Sequence, residues 1–304
     1  MLQRFRVVTR GGALPTIELC DGDASSAVLA PGRGGMALRW RVAGRDLLFL
    51  DEGTYRDVAQ NVRGGVPVLF PSPGRLEGDR WRRGGREGEL RQHGFARQLP
   101  WEVAATGEDG AARASLRLRA SAPTLARYPF SFEATYTYAL AGASLRIEQR
   151  FVNQGDEPMP FGAGFHPYFA VAQADKAGAR VASGARRAYD NAGKRAVPFS
   201  AAALDLSAGH EIDLHLLDHG ASSSSLAWPD GARVRLEGSP EFTHWVVWAL
   251  PGRDFVCLEP WTCPPDALNT GERLLVLEPG QARTLWLELR YEGPGDPADA
   301  PTQP

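Results

Sequence analysis

One carboxylate in this chain sits where acid–base chemistry would want it. Glu259 lies in Cys257-Leu258-Glu259-Pro260-Trp261-Thr262, at the end of the apolar run Asp254-Phe255-Val256-Cys257-Leu258. That run reads as a strand, and Pro260 is expected to stop it just after the glutamate. Apolar neighbours raise the pKa of such a carboxyl, which suits a general base. Two of the six histidines stand in distinctive settings. His93 lies in Gln92-His93-Gly94-Phe95-Ala96-Arg97, where a glycine lets the backbone approach a ligand closely. His166 lies in Gly162-Ala163-Gly164-Phe165-His166-Pro167-Tyr168-Phe169, among glycines and rings that suit a flat, hydroxylated ligand such as a sugar. Any single histidine is more often an ordinary core or loop residue, so neither decides the function alone. Arg75, after the apolar run 66–71 and the turn Pro73-Gly74, and Arg97, closing the His93 loop, are placed to clamp a substrate oxygen. The remaining arginines between 75 and 97 interleave with Glu77, Asp79, Glu87 and Glu89 and read as a solvated hairpin.

Other chemistries fare worse. His210, His215 and His219 are close in sequence, but His210-Glu211 is followed by its second histidine five residues on, not four. Ile212, Leu214 and Leu216 alternate as in a strand, so no metal site is expected there. Cys257 and Cys263 fit no common zinc spacing, and the three cysteines read as reduced thiols in a cytoplasmic protein. Gly32-Arg33-Gly34-Gly35-Met36-Ala37 matches the dinucleotide-binding spacing. The next residues, Leu38-Arg39-Trp40-Arg41-Val42, alternate like a strand, so the required helix is missing. No cofactor is expected.

The elements that must position these residues are strands. Phe130 to Tyr138 alternates apolar and polar throughout, and Leu145 to Phe151 follows after Ala141-Gly142-Ala143, making a hairpin. Leu116–Arg119, Val234–Glu237 and Leu285–Tyr291 repeat the pattern. The 34 glycines and 23 prolines are spread as turns between short elements. Helical periodicity is scarce, so the class is all-β, a sandwich or a barrel. With 43% hydrophobic residues there is material for one large core over residues 1–292, and 293–304 reads as a disordered tail. The 176–203 stretch is polar and reads largely as loops, with a turn at Asp190-Asn191-Ala192-Gly193. Net charge −2 and pI near 6.3 argue against nucleic acid or an anionic membrane. There is no apolar run long enough to span a bilayer and no apolar signal core after Met1.

Taken together, four stretches resemble the aldose 1-epimerase (mutarotase) superfamily, including its hexose-6-phosphate branch. They are Gly65-Val66-Pro67-Val68-Leu69-Phe70-Pro71 with Arg75; His93-Gly94-Phe95-Ala96-Arg97 with Pro100-Trp101; Gly164-Phe165-His166-Pro167-Tyr168-Phe169; and Cys257-Leu258-Glu259-Pro260-Trp261-Thr262. They fall in the family's order over roughly residues 25 to 292. The resemblance implies a β-supersandwich, galactose mutarotase-like, of mostly antiparallel strands with few short helices. It implies Glu259 as the general base and His166 as the general acid, with His93 and Arg75 on sugar hydroxyls. It also implies a sugar-binding aspartate between the second histidine and the base. Asp213 fits best, counted back from Trp228-Pro229-Asp230-Gly231, and Asp218 is its rival. Two departures bear on the choice of sugar. Gly74 stands where galactose mutarotases commonly have asparagine, and Asp213 lacks the aromatic that often follows it.

Acid plus base and no cofactor is what anomer interconversion needs, because the proton removed from one oxygen is replaced at another. The expected substrate is a free hexose or a hexose phosphate. Two rivals remain on the same residues. A non-catalytic sugar-binding protein would keep Arg75 and His93 without using Glu259 and His166. A glycoside hydrolase would need a second carboxyl near Glu259, with Asp213 the nominee.

Overall fold

A computed structural model describes residues 4–296. About 47% of it is strand and 9% helix, far from the mixed average of globular proteins, and every pairing between named strands is antiparallel. One eight-stranded sheet runs in the order Arg180–Ala182, Ser223–Ala227, Arg233–Gly238, Ala282–Glu292, Ser144–Asn153, Phe132–Ala141, Ala112–Arg119, Glu102–Gly107. The other runs Arg195–Pro198, Arg187–Asp190, Ile212–Leu216, His244–Ala249, Phe255–Trp261, Gly164–Phe165, Val68–Leu69, with Tyr168–Ala170 also pairing to Phe255–Trp261. A five-stranded sheet spans Phe5 to Asp46. Among the described residues the α-helices are short, Glu52–Arg56, Ala122–Leu125 and Ala267–Thr270, and no helix is long and apolar enough to cross a membrane.

Strand alternation explains the layers. In Phe132–Ala141 the residues from Phe132 to Leu140 at every second position are buried, and Phe132, Tyr136 and Phe151 turn inward to meet rings from the second sheet. Phe70 packs on Phe132, Phe151 and Phe161 at 5.0, 5.2 and 5.8 Å, and Tyr136 meets Phe165 at 6.1 Å. Each such ring pair adds about 0.5–1.5 kcal/mol beyond its buried area. The second sheet sends Leu216, Trp245, Val247, Val256 and Leu258 into this same core. The period of two then forces their neighbours onto its outer face. That face carries Asp213 and His215, His244 and Trp248, and Cys257, Glu259 and Trp261, and the functional residues gather there.

Several expectations change. Pro260 does not stop the strand, which continues to Trp261. Thr262 N donates to Ala163 O, so even-numbered residues face the neighbour that carries Gly164–Phe165. The N–H that Pro260 lacks therefore points at the gap between that strand and Tyr168–Ala170, where no ladder bond is lost. The 176–203 stretch also holds more structure than loops. It contains Arg180–Ala182 and the hairpin Arg187–Asp190 with Arg195–Pro198, closed by the turn expected at residues 190–193. The charged hairpin is Arg80–Arg83 with Arg86–Glu89, laced by Arg80–Glu89 and Arg82–Glu87 pairs. Of the expected tail, residues 297–304 lie outside the described residues; before them Gly293 N donates to Asp296 Oδ2 at 2.6 Å.

Candidate active site

Glu259 is 1% exposed. Its Oε1 lies 3.2 Å from His166 Nε2, and its Oε2 accepts from the Trp261 indole N–H at 3.2 Å. Burial pushes this carboxyl well above its ordinary pKa, and the charge of Asp213 pushes the same way, while the Trp261 bond and Arg97 oppose. Trp261 stands two residues on from Glu259 and so shares its face of the strand.

His166 follows the two-residue strand Gly164–Phe165, and its backbone N–H donates to Pro67 O at 3.0 Å. Its ring stacks on Tyr168 at 4.7 Å and 14° and meets Trp248 edge-on at 5.6 Å. Burial, then the charge of Arg97, pushes the imidazole down to about 3. The same burial thus moves the two partners in opposite directions, each toward its uncharged form. A single proton between them can rest on Glu259 as a neutral pair. Moved to His166, it gives a carboxylate and an imidazolium without changing the net charge of the pocket. The His166 Nδ1 is buried and has no hydrogen-bond partner among the described residues.

His93 sits 5.6 Å from His166 and 5.4 Å from Trp261, edge-on to both. Gly74 N donates to His93 Nδ1 at 3.0 Å, so the neutral ring carries its proton on Nε2. Burial and then Arg97 hold its pKa well below the usual imidazole range. The next residue must be glycine. Gly94 has φ +71°, and a Cβ there would lie 2.3 Å from Phe70 O. Gly74 is likewise fixed, because at φ +75° a Cβ would meet Pro265 at 2.9 Å. The asparagine usual in galactose mutarotases therefore has no room here. Arg97 donates from Nη2 to Gln92 O at 3.0 Å, and its buried Nε has no hydrogen-bond partner among the described residues. Arg75 is exposed, and its charge reaches His93. Arg63, which the sequence did not single out, acts in the same way on His166. Among the described residues none of these three arginines forms an ion pair.

The two candidate aspartates separate. Asp213 lies on the site face, its Oδ1 3.5 Å from His215 Nε2 and its Oδ2 accepting from Asn191 Nδ2 at 2.6 Å. Burial pushes its pKa up, but these hydrogen bonds outweigh burial and the net shift is downward. Asp218 instead accepts from the backbone N–H groups of Arg186 and Arg187, at the end of a loop. The histidine trio is dispersed. His210 is exposed, His215 packs on His244, and His219 bonds Ser183 Oγ and Ser223 O. Donor atoms of His166, Cys257 and Glu259 do lie within 4.8 Å of one another. Burial keeps the Cys257 thiol protonated, with its pKa pushed well up, and a thiol is a poor metal ligand. Sequence reasoning missed His244, Asn191 and Arg63. His215 had a usable signal, since it stands two residues from Asp213 on the same strand face, but nothing local marks the others.

Glu259 on the outer face of the second sheet, with His166 and His93 beside it, makes an acid–base cluster on a sandwich of antiparallel sheets. The aldose 1-epimerase family profile matches residues 15–290, and the chain belongs to that family. The Slr1438 protein from Synechocystis sp. PCC 6803 superposes with a TM-score of 0.87 at 36% identity, over 96% of this chain and 98% of that one. A galactose mutarotase-like protein from Clostridium acetobutylicum shares the fold at a TM-score of 0.81 and 17% identity, over 95% and 99% of the two chains. Among curated sequences, the uncharacterized Escherichia coli K12 protein YihR is 24% identical over 295 residues, covering 90% of this chain and 92% of its own. A Cenchrus ciliaris protein provisionally named glucose-6-phosphate 1-epimerase is 29% identical over 148 residues, covering 45% and 42%.

Proposed function

We propose that the protein interconverts the α and β anomers of an aldose, using Glu259 as base and His166 as acid. The observation that carries this reading is the 3.2 Å approach of Glu259 Oε1 to His166 Nε2 on a sheet face ringed by hydrogen-bonding groups. A sugar entering between them separates the pair with the shared proton on His166. Glu259 then takes the proton of the anomeric hydroxyl as C1=O1 forms and the bond from C1 to the ring oxygen breaks. His166 gives its proton to the ring oxygen. Rotation about C1–C2 presents the other face, and closure runs the same steps backwards, so no proton is gained or lost. His93 Nε2–H is a donor for the ring oxygen or its neighbour, and Asp213 an acceptor for hydroxyl groups.

Asp213 makes a poor acid for a hydrolase, since its hydrogen bonds favour the ionised form. The arginines speak to the substrate. Among the described residues Arg63, Arg75 and Arg97 form no ion pair while their charges act on the histidines, which favours an aldose bearing an anionic group such as a phosphate. The relative provisionally named a glucose-6-phosphate 1-epimerase is consistent with this. A panel of free aldoses and their 6-phosphates, followed by NMR exchange between anomeric signals, tests the reading. Faster exchange for the phosphates supports it; no exchange above the uncatalysed rate for any of them overturns it.

A further inference from the structure

His244 and His215 lie side by side on the outer face of the second sheet, and neither takes part in the proton transfers above. They link into a line of hydrogen bonds. Arg273 Nη2 lies 3.3 Å from His244 Nδ1, and His244 Nε2 lies 2.9 Å from His215 Nδ1. His215 Nε2 then lies 3.5 Å from Asp213 Oδ1.

The direction of this line is fixed from both ends, because a guanidinium only donates and the ionised Asp213 carboxylate only accepts. His244 Nδ1 must therefore accept, which puts the proton of its neutral ring on Nε2. That N–H donates to His215 Nδ1, so the His215 proton sits on Nε2 and faces Asp213. Each tautomer follows from the one before it. The far oxygen of Asp213 is taken by Asn191, so the carboxylate is clamped at both oxygens and its orientation is set.

Two further features show that the line is built in. His244 is stacked on Trp261 at 5.5 Å and 29°, and His215 meets the same indole edge-on at 5.4 Å. This is the indole that donates to Glu259. Arg273 has φ +50°, an uncommon conformation for a residue with a side chain. Such strain persists where surrounding contacts impose it, and here the guanidinium reaches Thr243 O and Oγ1 and Glu272 as well as His244.

We infer that Arg273 is a positioning residue, holding His244 at Nδ1 and so, through His215, orienting Asp213 toward the sugar. This rests on the reading of Asp213 as a sugar-binding group. Arg273 is partly exposed, at 35% of its side chain, so Arg273→Met can be made without cutting into the core.

The test joins nitrogen-15 NMR of the histidine rings with kinetics on the best aldose of the panel. In the wild type, His215 and His244 should both show the Nε2–H tautomer. In R273M both rings should keep that tautomer, which Asp213 also imposes, while the His244 Nδ1 signal moves as this nitrogen loses its donor. KM should rise about three- to tenfold, the effect of one hydrogen bond, with kcat changing less. Added guanidinium ion, or the R273K variant, should bring KM back toward wild type. An Nδ1–H tautomer at either ring in the wild type overturns the inference, and so does R273M with an unmoved His244 Nδ1 signal and unchanged KM. Asp213→Asn separates the two readings. If D213N raises KM while R273M does not, the relay falls and the function stands. If no aldose is turned over but R273M moves the His244 Nδ1 signal, the relay stands and the function falls.

Discussion

The Trp261 indole N–H holds one oxygen of Glu259 while the other oxygen faces His166, so each lone-pair face of the base has its own partner. That division has a consequence for acidity. The indole bond favours the ionised carboxylate and works against burial and the charge of Asp213.

Trp261→Phe keeps the ring and removes the donor. Glu259 should then hold its proton to higher pH, so the acid limb of the kcat/KM profile should move toward alkaline pH. At neutral pH the rate should fall about tenfold or somewhat more, the range for a hydrogen bond to a charged group. An unmoved acid limb in W261F would mean that the indole does not tune the base.

Stability should fall on the acid side because of four buried imidazoles. His93, His166, His219 and His244 all have depressed values, caused first by burial. Above about pH 6.5, the ordinary histidine value, folded and unfolded rings are both neutral. Below it the unfolded rings bind protons that the folded ones refuse, so stability is lost as pH falls toward about 3, the value reached at His166. Glu259 works in the opposite sense, its raised carboxyl favouring the fold at low pH and losing that contribution as pH rises. Urea midpoints from pH 7 to pH 5 should therefore decline. They should decline less steeply in His93→Asn, which tolerates the left-handed φ of +69° at that position. Equal slopes would contradict the assignment.

Gly94→Ala should cost about 1–3 kcal/mol and disturb the His93 loop, since the added methyl collides with Phe70 O in a left-handed conformation. Gly110→Ala is the control. It shares a positive φ of 67° but meets nothing within 4 Å, so it should cost about 1 kcal/mol at most and leave activity alone. Denaturation curves of both variants, with wild type, decide between conformational strain alone and strain plus collision.

Much of this was legible in the sequence, and its limits are physical. Alternation from Phe130 to Tyr138 announced a strand because a half-buried strand needs one apolar face, and the same rule places Asp213 with His215. The strand end expected at Pro260 was misread because the deciding partner is contained in no local pattern. A proline breaks a ladder only where a neighbour needs its N–H, and here the neighbouring strand is interrupted. His244, Asn191, Arg63 and Arg273 were invisible for the same reason. Their roles come from pairings across the sheet and from loops that meet only in three dimensions, whereas the four ordered stretches could be read as a set.

Arg97→Met should separate the substrates of the proposed reaction. The guanidinium's buried Nε has no hydrogen-bond partner, and the group no ion pair, among the described residues. Its loss should raise KM for a 6-phosphorylated aldose about 10- to 100-fold, with a smaller effect on the free sugar. Equal effects on both would place the anionic group elsewhere.

The central claim is that Glu259 and His166 move protons at the anomeric centre, and NMR exchange spectroscopy on the preferred aldose tests it most directly. Glu259→Gln and His166→Gln should each slow α–β exchange by about 10²–10⁴, the usual weight of one acid–base residue. The double variant should lose little more than the worse single one, because the pair acts as a unit. Folded single variants that exchange anomers at the wild-type rate would contradict the account.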